Sequence, residues 1–150
     1  MKSPIRIRAY GIPAAQGSKR SVGRGIMIES SKKVKPWREA VRVAASEIYE
    51  NQPIEEPVSI TAHFIFPRPK GHYRTGKFAG HLRESAPRFN TSHANGDLDK
   101  LLRSTFDGLS FAAGGSVLRD DSLVVSVEST KAYADPNTPP GAFIYVHILS

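Results

Sequence analysis

Apolar and charged residues alternate with a period of two through Ile5-Arg6-Ile7-Arg8-Ala9-Tyr10, and the run stops at Gly11-Ile12-Pro13. Successive side chains of a strand point to opposite faces, so this pattern predicts a half-buried strand closed by a turn. The basic stretch over 14–25 follows, with three glycines and three cations between Gln16 and Gly25 and no period, and reads as a loop; Gly25-Ile26-Met27-Ile28-Glu29 can pair back as a short strand. From Lys35 the period changes. Trp37, Val41, Ala44, Ala45, Ile48 and Tyr49 recur at three- and four-residue intervals, with Arg38, Glu39, Arg42 and Glu47 on the other face, predicting a helix over 36–51. Pro36 sits near its start, where a missing N–H costs little.

Strict alternation returns over Val58-Ser59-Ile60-Thr61-Ala62-His63-Phe64-Ile65-Phe66, the clearest strand of the chain, rich in β-branched and aromatic residues. Residues 67–95 mix proline, glycine, cations and rings without a period, and predict a long mobile loop that orders on binding. A second helix is marked from Asp97 or Leu98 to Leu109 by the apolar stripe Leu98, Leu101, Leu102, Thr105, Phe106 and Leu109. Two strands complete the pattern, over 122–130 and 142–148, and the turn residues between Asp135 and Gly141 suggest that they form a hairpin. The order of elements predicts an α/β (α+β) fold: one small domain spanning 1–150, with a mixed sheet of about four to five strands carrying two main helices on one face or at one edge.

Composition narrows the function. The chain has no cysteine, which removes disulfides, zinc–thiolate sites and thiol nucleophiles. No apolar run has the length of a membrane span, and the basic start, Met1-Lys2-Ser3, is not followed by the apolar core of a secretion signal, so the expectation is a cytoplasmic protein with no membrane partner. The net charge of +7 is uneven. Residues 1–50 hold eleven Lys and Arg against four Glu, whereas residues 51–150 balance ten against ten. A concentrated cationic segment suits a phosphate-rich partner, because each neutralised phosphate releases condensed counterions. Candidate DNA contacts are Lys19, Arg20, Arg24, Lys32, Lys33 and Lys35 in the first third. Lys100 joins them, as do Arg68, Lys70 and Arg74, which interleave with His72 and Tyr73 in the long loop.

Candidate chemistry lies elsewhere. Asp97-Leu98-Asp99 places two carboxylates at the start of the second helix, with Arg103 one turn after Asp99; if Asp97 is still extended when Asp99 enters the first turn, both carboxylates can converge on one cation. Asp120-Asp121 adds a second acidic pair just before a strand. Packed carboxylates repel unless a divalent cation neutralises them, and oxygen-only ligation with open water positions suits Mg²⁺ in phosphate chemistry, where the ion activates water and stabilises the departing oxygen. The residues alone also allow a reading without metal: Asp97 as a helix cap, Asp99 as a first-turn acid and Asp120-Asp121 as a turn. Asp107 fits a salt bridge or cap better than a ligand. The five histidines, His93 included, form no pair at metal-ligand spacing.

Taken in order, Asp97-Leu98-Asp99, Arg103, Asp107-Gly108-Leu109 and Asp120-Asp121 resemble the pattern of the RusA family of phage-type Holliday junction resolvases. Gly11-Ile12-Pro13, Gln16-Gly17-Ser18-Lys19-Arg20 and Lys35-Pro36-Trp37-Arg38 are similar to the same family, so that the likeness covers most of the chain apart from Arg68 to Asn95. The resemblance implies a RusA-like fold and a phage- or prophage-encoded homodimer acting in the bacterial cytoplasm. It implies a Mg²⁺-dependent endonuclease, with Mn²⁺ as a substitute, that resolves four-way DNA junctions by paired nicks. Asp97, Asp99 and Asp121 match the acidic metal ligands, Asp120 stands beside them, and Arg103 occupies the position of a catalytic lysine. Three departures stand out: arginine at 103 keeps the charge but cannot deliver a proton, Lys100 stands where asparagine commonly follows the second aspartate, and the Ser110–Arg119 connection with Gly114-Gly115 is slightly expanded. Two other expectations fit the same residues, a non-catalytic accessory protein that binds branched DNA and a broader nuclease acting on flaps or forks.

Overall fold

The computed structural model describes residues 3–17, 20–21, 27–28 and 32–149, with the backbone alone at 20, 21, 27 and 28. Strand β1 (Ile5–Tyr10) is followed by a small antiparallel pair, β2 (Arg20–Ser21) and β3 (Met27–Ile28), and then by helix α1 (Val34–Ile48) and strand β4 (Val58–Phe66). Helix α2 (Leu98–Leu109), β5 (Val124–Tyr133) and β6 (Gly141–Ile148) complete the chain. The main sheet has the order β1-β6-β4-β5, antiparallel throughout except for the parallel pair β4–β5, whose crossover carries α2. This is the small mixed α/β fold that the alternating periods predict. Among the described residues no helix is long and apolar enough to cross a membrane.

Register assigns the two faces of the sheet. Ile7, Ile144, Ala62 and Ser129 lie in one row across the four strands; on that face Ile7, Ile144 and Ala62, with Ile60, Phe64 and Val146, are buried under the helices, while Ser129 on the edge strand is half-buried. Trp37 of α1 is the pivot of the layer: its ring meets Phe64 edge-on with centroids 6.5 Å apart, and its Nε1 donates to Thr105 Oγ1 of α2 at 3.1 Å. The helices approach closely at Gly108, where a Cβ would stand 2.9 Å from Val41. Burying these side chains contributes roughly 25 cal/mol per Å² of apolar surface removed from water, which is what holds an amphipathic helix onto a sheet.

Two sequence expectations need correction. Helix α1 occupies 34–48 rather than 36–51, because Tyr49 is extended and its hydroxyl donates to Gln52 O ahead of Pro53; Pro36 still falls in the first turn, where backbone N–H groups have no intrahelical partner. The last two strands are not a hairpin. β4 lies between them, and residues 134–140 pass over it to bring the chain into the middle of the sheet. Side-chain burial explains the choice: Ala142, Ile144 and Val146 of β6 are buried between two neighbours, whereas β5 leaves Val125, Val127 and Glu128 exposed and takes the edge.

The segment between β4 and α2 is cross-bonded. Tyr73 and Leu82 form an antiparallel bridge, Arg74 N–H donates to His81 O at 2.7 Å and Arg83 N–H to His72 O at 2.8 Å, which closes residues 72–83 into a small hairpin. Farther on, Phe89 pairs with Ala132 and Asn90 N–H donates to Lys131 O at 3.0 Å, so residues 88–90 cover the outer edge of the last part of β5.

Candidate active site

The head of α2 is fixed from two sides. Residues 14–16 run along the helix: Ser104 Oγ donates to Ala14 O at 2.6 Å and Gln16 N–H to Lys100 O at 3.0 Å. Gly96, just before the helix, adopts φ +89°, and a Cβ there would collide with Ala15, so only glycine meets both demands. From the sheet side, Lys131 Nζ donates to the Gly96 carbonyl at 2.8 Å. Lys131 shares the helix-covered face with Phe64, its partner in the β4–β5 register, which aims its side chain toward α2.

Asp97 follows as the N-cap residue, extended at φ −88° and ψ 154°, while Asp99 lies within the first turn. This is the local geometry the Asp-Leu-Asp spacing predicts. Asp97 occupies the capping position, yet its carboxylate accepts no capping hydrogen bond. Asp99 is exposed and, like Asp97, has no partner among the described residues. Lys100 and Arg103 are exposed on the same two turns, and the Asp99–Arg103 ion pair is not formed. The positive end of the helix dipole favours carboxylates in this position by a few tenths to about 1 kcal/mol each. A cap is therefore not what Asp97 is doing here.

The second acidic pair divides its roles. Asp120 caps the 3-10 turn Asp121–Leu123, accepting from Ser122 N–H at 3.4 Å, and hydrogen bonding to Ser122 holds its carboxyl below the ordinary aspartate range. Asp121 is exposed and unpartnered among the described residues, and its turn packs against α2. Asp107 pairs with Arg38 at 3.8 Å, the salt bridge that its place on the helix suggests.

Among the described residues no group of three or more His, Cys, Asp or Glu side chains comes together as a metal cage. Mg²⁺ does not require one, since it keeps several waters and is commonly held by one or two carboxylates plus substrate phosphates. Asp97 and Asp99 fit that donor set, being oxygen ligands with no competing hydrogen bonds among the described residues. The candidate DNA contacts are distributed. Lys32, Lys33 and Lys35 are exposed around the start of α1, Lys100 opens α2, and Lys70 and Arg74 are exposed on the hairpin segment. Arg68 is consumed internally, donating from Nε to Ala134 O at 3.0 Å and from a terminal nitrogen to Pro87 O at 2.6 Å. Lys19 and Arg24 lie outside the described residues, as does the side chain of Arg20.

Sequence reasoning missed Lys131, 34 residues after Asp97. Its one signal is parity, for it shares the phase of Ser129 and Tyr133 on the helix-covered face, where a lysine is out of place unless it has a polar target. Asn90, 1% exposed, was also missed: its Oδ1 accepts from Ser92 N–H, while Nδ2 has no partner among the described residues.

Comparison with curated proteins finds no match. The family model of endodeoxyribonuclease RusA, by contrast, runs over residues 11–146, from the end of β1 into β6, and takes in both helices and every acid at the head of α2 and before β5; the chain belongs to the RusA family of endodeoxyribonucleases.

Proposed function

We propose that this nuclease is a Mg²⁺-dependent, structure-selective endonuclease that resolves four-way DNA junctions by paired nicks, working as a homodimer. Family membership supports junction DNA as the substrate. The observation that carries the chemistry is the carboxylate of Asp97, which occupies a capping position without capping and, like Asp99 beside it, has no partner among the described residues: a pair available for a ligand. Asp97 and Asp99 would hold the ion, with Asp121 as the third acid and Asp120 fixing the turn that presents it. When bound, Mg²⁺ (or Mn²⁺ in its place) supplies an activated water and stabilises the departing oxygen. The chain's own groups do the rest. Arg103, one turn beyond Asp99, offers a planar fork of donors to the charge that develops on the phosphate oxygens, while any proton comes from elsewhere, since guanidinium does not release one. Lys100, Lys70 and the cations at the start of α1 neutralise backbone phosphates.

The test is cleavage of a labelled four-way junction, with linear duplex as control, in Mg²⁺ and in EDTA. The wild type should give symmetric nicks that require metal. Asp99→Asn should lose several kcal/mol of transition-state stabilisation, or about a thousandfold in rate. Its junction binding in EDTA should be kept or strengthened, because a negative charge has been removed near phosphates. Metal-independent binding with no cut on any branched substrate would instead identify a DNA-binding accessory protein.

A further inference from the structure

We propose that the hairpin over residues 72–83 is a base-stacking finger, in which Phe78, flanked by Arg74 and Lys77, receives an unpaired or unstacked nucleobase at the branch point. This rests on the reading of the chain as a protein of branched DNA, and adds to it a binding element outside the acidic site. The ring is 44% exposed on the 3-10 turn Gly76–Phe78 at the end of the hairpin. The Arg74 guanidinium lies 4.1 Å from its centroid and the Lys77 ammonium 5.8 Å away. Backbone hydrogen bonds between 72–74 and 81–83 close the hairpin, so the ring is not needed to hold it together.

A lone exposed phenylalanine is ordinary; two cations beside this one are not. Phe89 is also exposed, but Arg88 alone lies beside it and its backbone is bridged to Ala132 on the edge of β5. Phe111 is exposed and lies under Arg119, but Arg119 is bound to Glu55 at 3.0 Å, which neutralises the pair. Arg74 and Lys77 have no acidic partner among the described residues, and residues 67–95 carry six Lys and Arg against Glu84 alone. An aromatic face for a base beside free cations for its phosphate is the combination by which proteins hold single strands without reading sequence. The finger's foot is anchored rigidly. Arg68 is bonded to Ala134 O and Pro87 O and lies over the Tyr133 ring, and His72 meets the same ring edge-on at 4.8 Å. Tyr133 is two residues from Lys131, whose amine holds the Gly96 carbonyl beside Asp97, so the foot of the finger and the head of α2 are joined through the end of β5. The sequence pattern points to Tyr73 as the stacking ring; the structure half-buries Tyr73 in its bridge with Leu82 and exposes Phe78 instead.

Fluorescence anisotropy in EDTA, where nothing is cut, tests the finger with three probes: an oligothymidine strand, a four-way junction and a linear duplex. Phe78→Ala should bind the strand and the junction about tenfold more weakly, the scale of losing one base stack, and the duplex as well as the wild type does. Phe78→Trp should keep wild-type affinity, with emission quenched by oligothymidine; buried Trp37 does not report on this stacking. Replacing Arg74 and Lys77 together by Gln should lower the salt dependence of strand binding by about 0.7 for each phosphate no longer neutralised. Unchanged strand and junction affinity for Phe78→Ala, or an equal loss on duplex, overturns the proposal. Nicking assays on the same proteins separate the two readings. Loss of stacking in a protein that never nicks supports the finger and removes the resolvase, whereas full nicking and binding by Phe78→Ala removes the finger alone.

Discussion

From Ser104 to its end α2 puts every polar side chain to use: Ser104 donates to Ala14 O, Thr105 accepts from Trp37 and donates to Leu101 O, and Asp107 pairs with Arg38. From the N-cap to Arg103 the charged side chains Asp97, Asp99, Lys100 and Arg103 have no partner among the described residues. One helix thus carries a satisfied end and an uncommitted end, the latter being the chemical end of the proposed function, and the difference lies in hydrogen-bond satisfaction rather than composition. Groups proposed to meet a substrate are left uncommitted, at some cost in stability, while the satisfied end supplies the packing that offsets it.

The sharpest way to break that comparison is Asp97→Asn. On the proposed reading of Asp97 as a metal ligand, nicking should fall about a thousandfold, since such a ligand contributes several kcal/mol to the transition state, while the melting temperature stays level or rises as repulsion between the two carboxylates is relieved. A fall in both would show that Asp97 is structural after all. At the other end, Gly108→Ala should do the reverse. Its Cβ would sit 2.9 Å from Val41 and 3.0 Å from the Arg38 carbonyl, so the helices must separate. Overpacking of this kind costs about 1–3 kcal/mol, or roughly 2–4 °C of melting temperature per kcal/mol. Nicking by the folded fraction should be unaffected. Thr105→Val removes the acceptor of the Trp37 indole and strands a buried donor, at about 1–2 kcal/mol by denaturant titration, again with nicking intact.

What could be read from the sequence follows the range of the interactions. The Asp-Leu-Asp head of α2 was legible because helix period, cap position and charge all lie within a few residues of one another. β4 was legible because alternation is local. The hairpin of the last two strands was misread because a turn signal such as Asp135-Pro136-Asn137 marks a reversal without saying which strand the chain will join; β4, made some seventy residues earlier, occupies the place beside β5. The value of Phe78 could not be read either, since it depends on closure of residues 72–83 by backbone bonds that any sequence can make.

Lys131 sharpens the comparison most finely, because it ties the chemical end of α2 to the sheet with one hydrogen bond. Gly96 is held by Ala15 on one side and by the Lys131 amine on its carbonyl, and the Gly96–Asp97 peptide sets where the Asp97 carboxylate points. Lys131→Met keeps the length and the apolar stem but releases the carbonyl. Asp97 then samples orientations that do not serve the proposed ion, and nicking should fall about tenfold, or about 1.4 kcal/mol. Junction binding in EDTA should hold, and Lys131→Arg, which restores a donor of different shape, should recover part of the rate. The melting temperature should change little, because the freed carbonyl lies at the partly exposed mouth of the site and water can satisfy it. If Lys131→Met nicks at the wild-type rate, the contacts of residues 14–16 with α2 suffice to aim Asp97, and the chemical end of the helix is positioned from its own side rather than from the sheet.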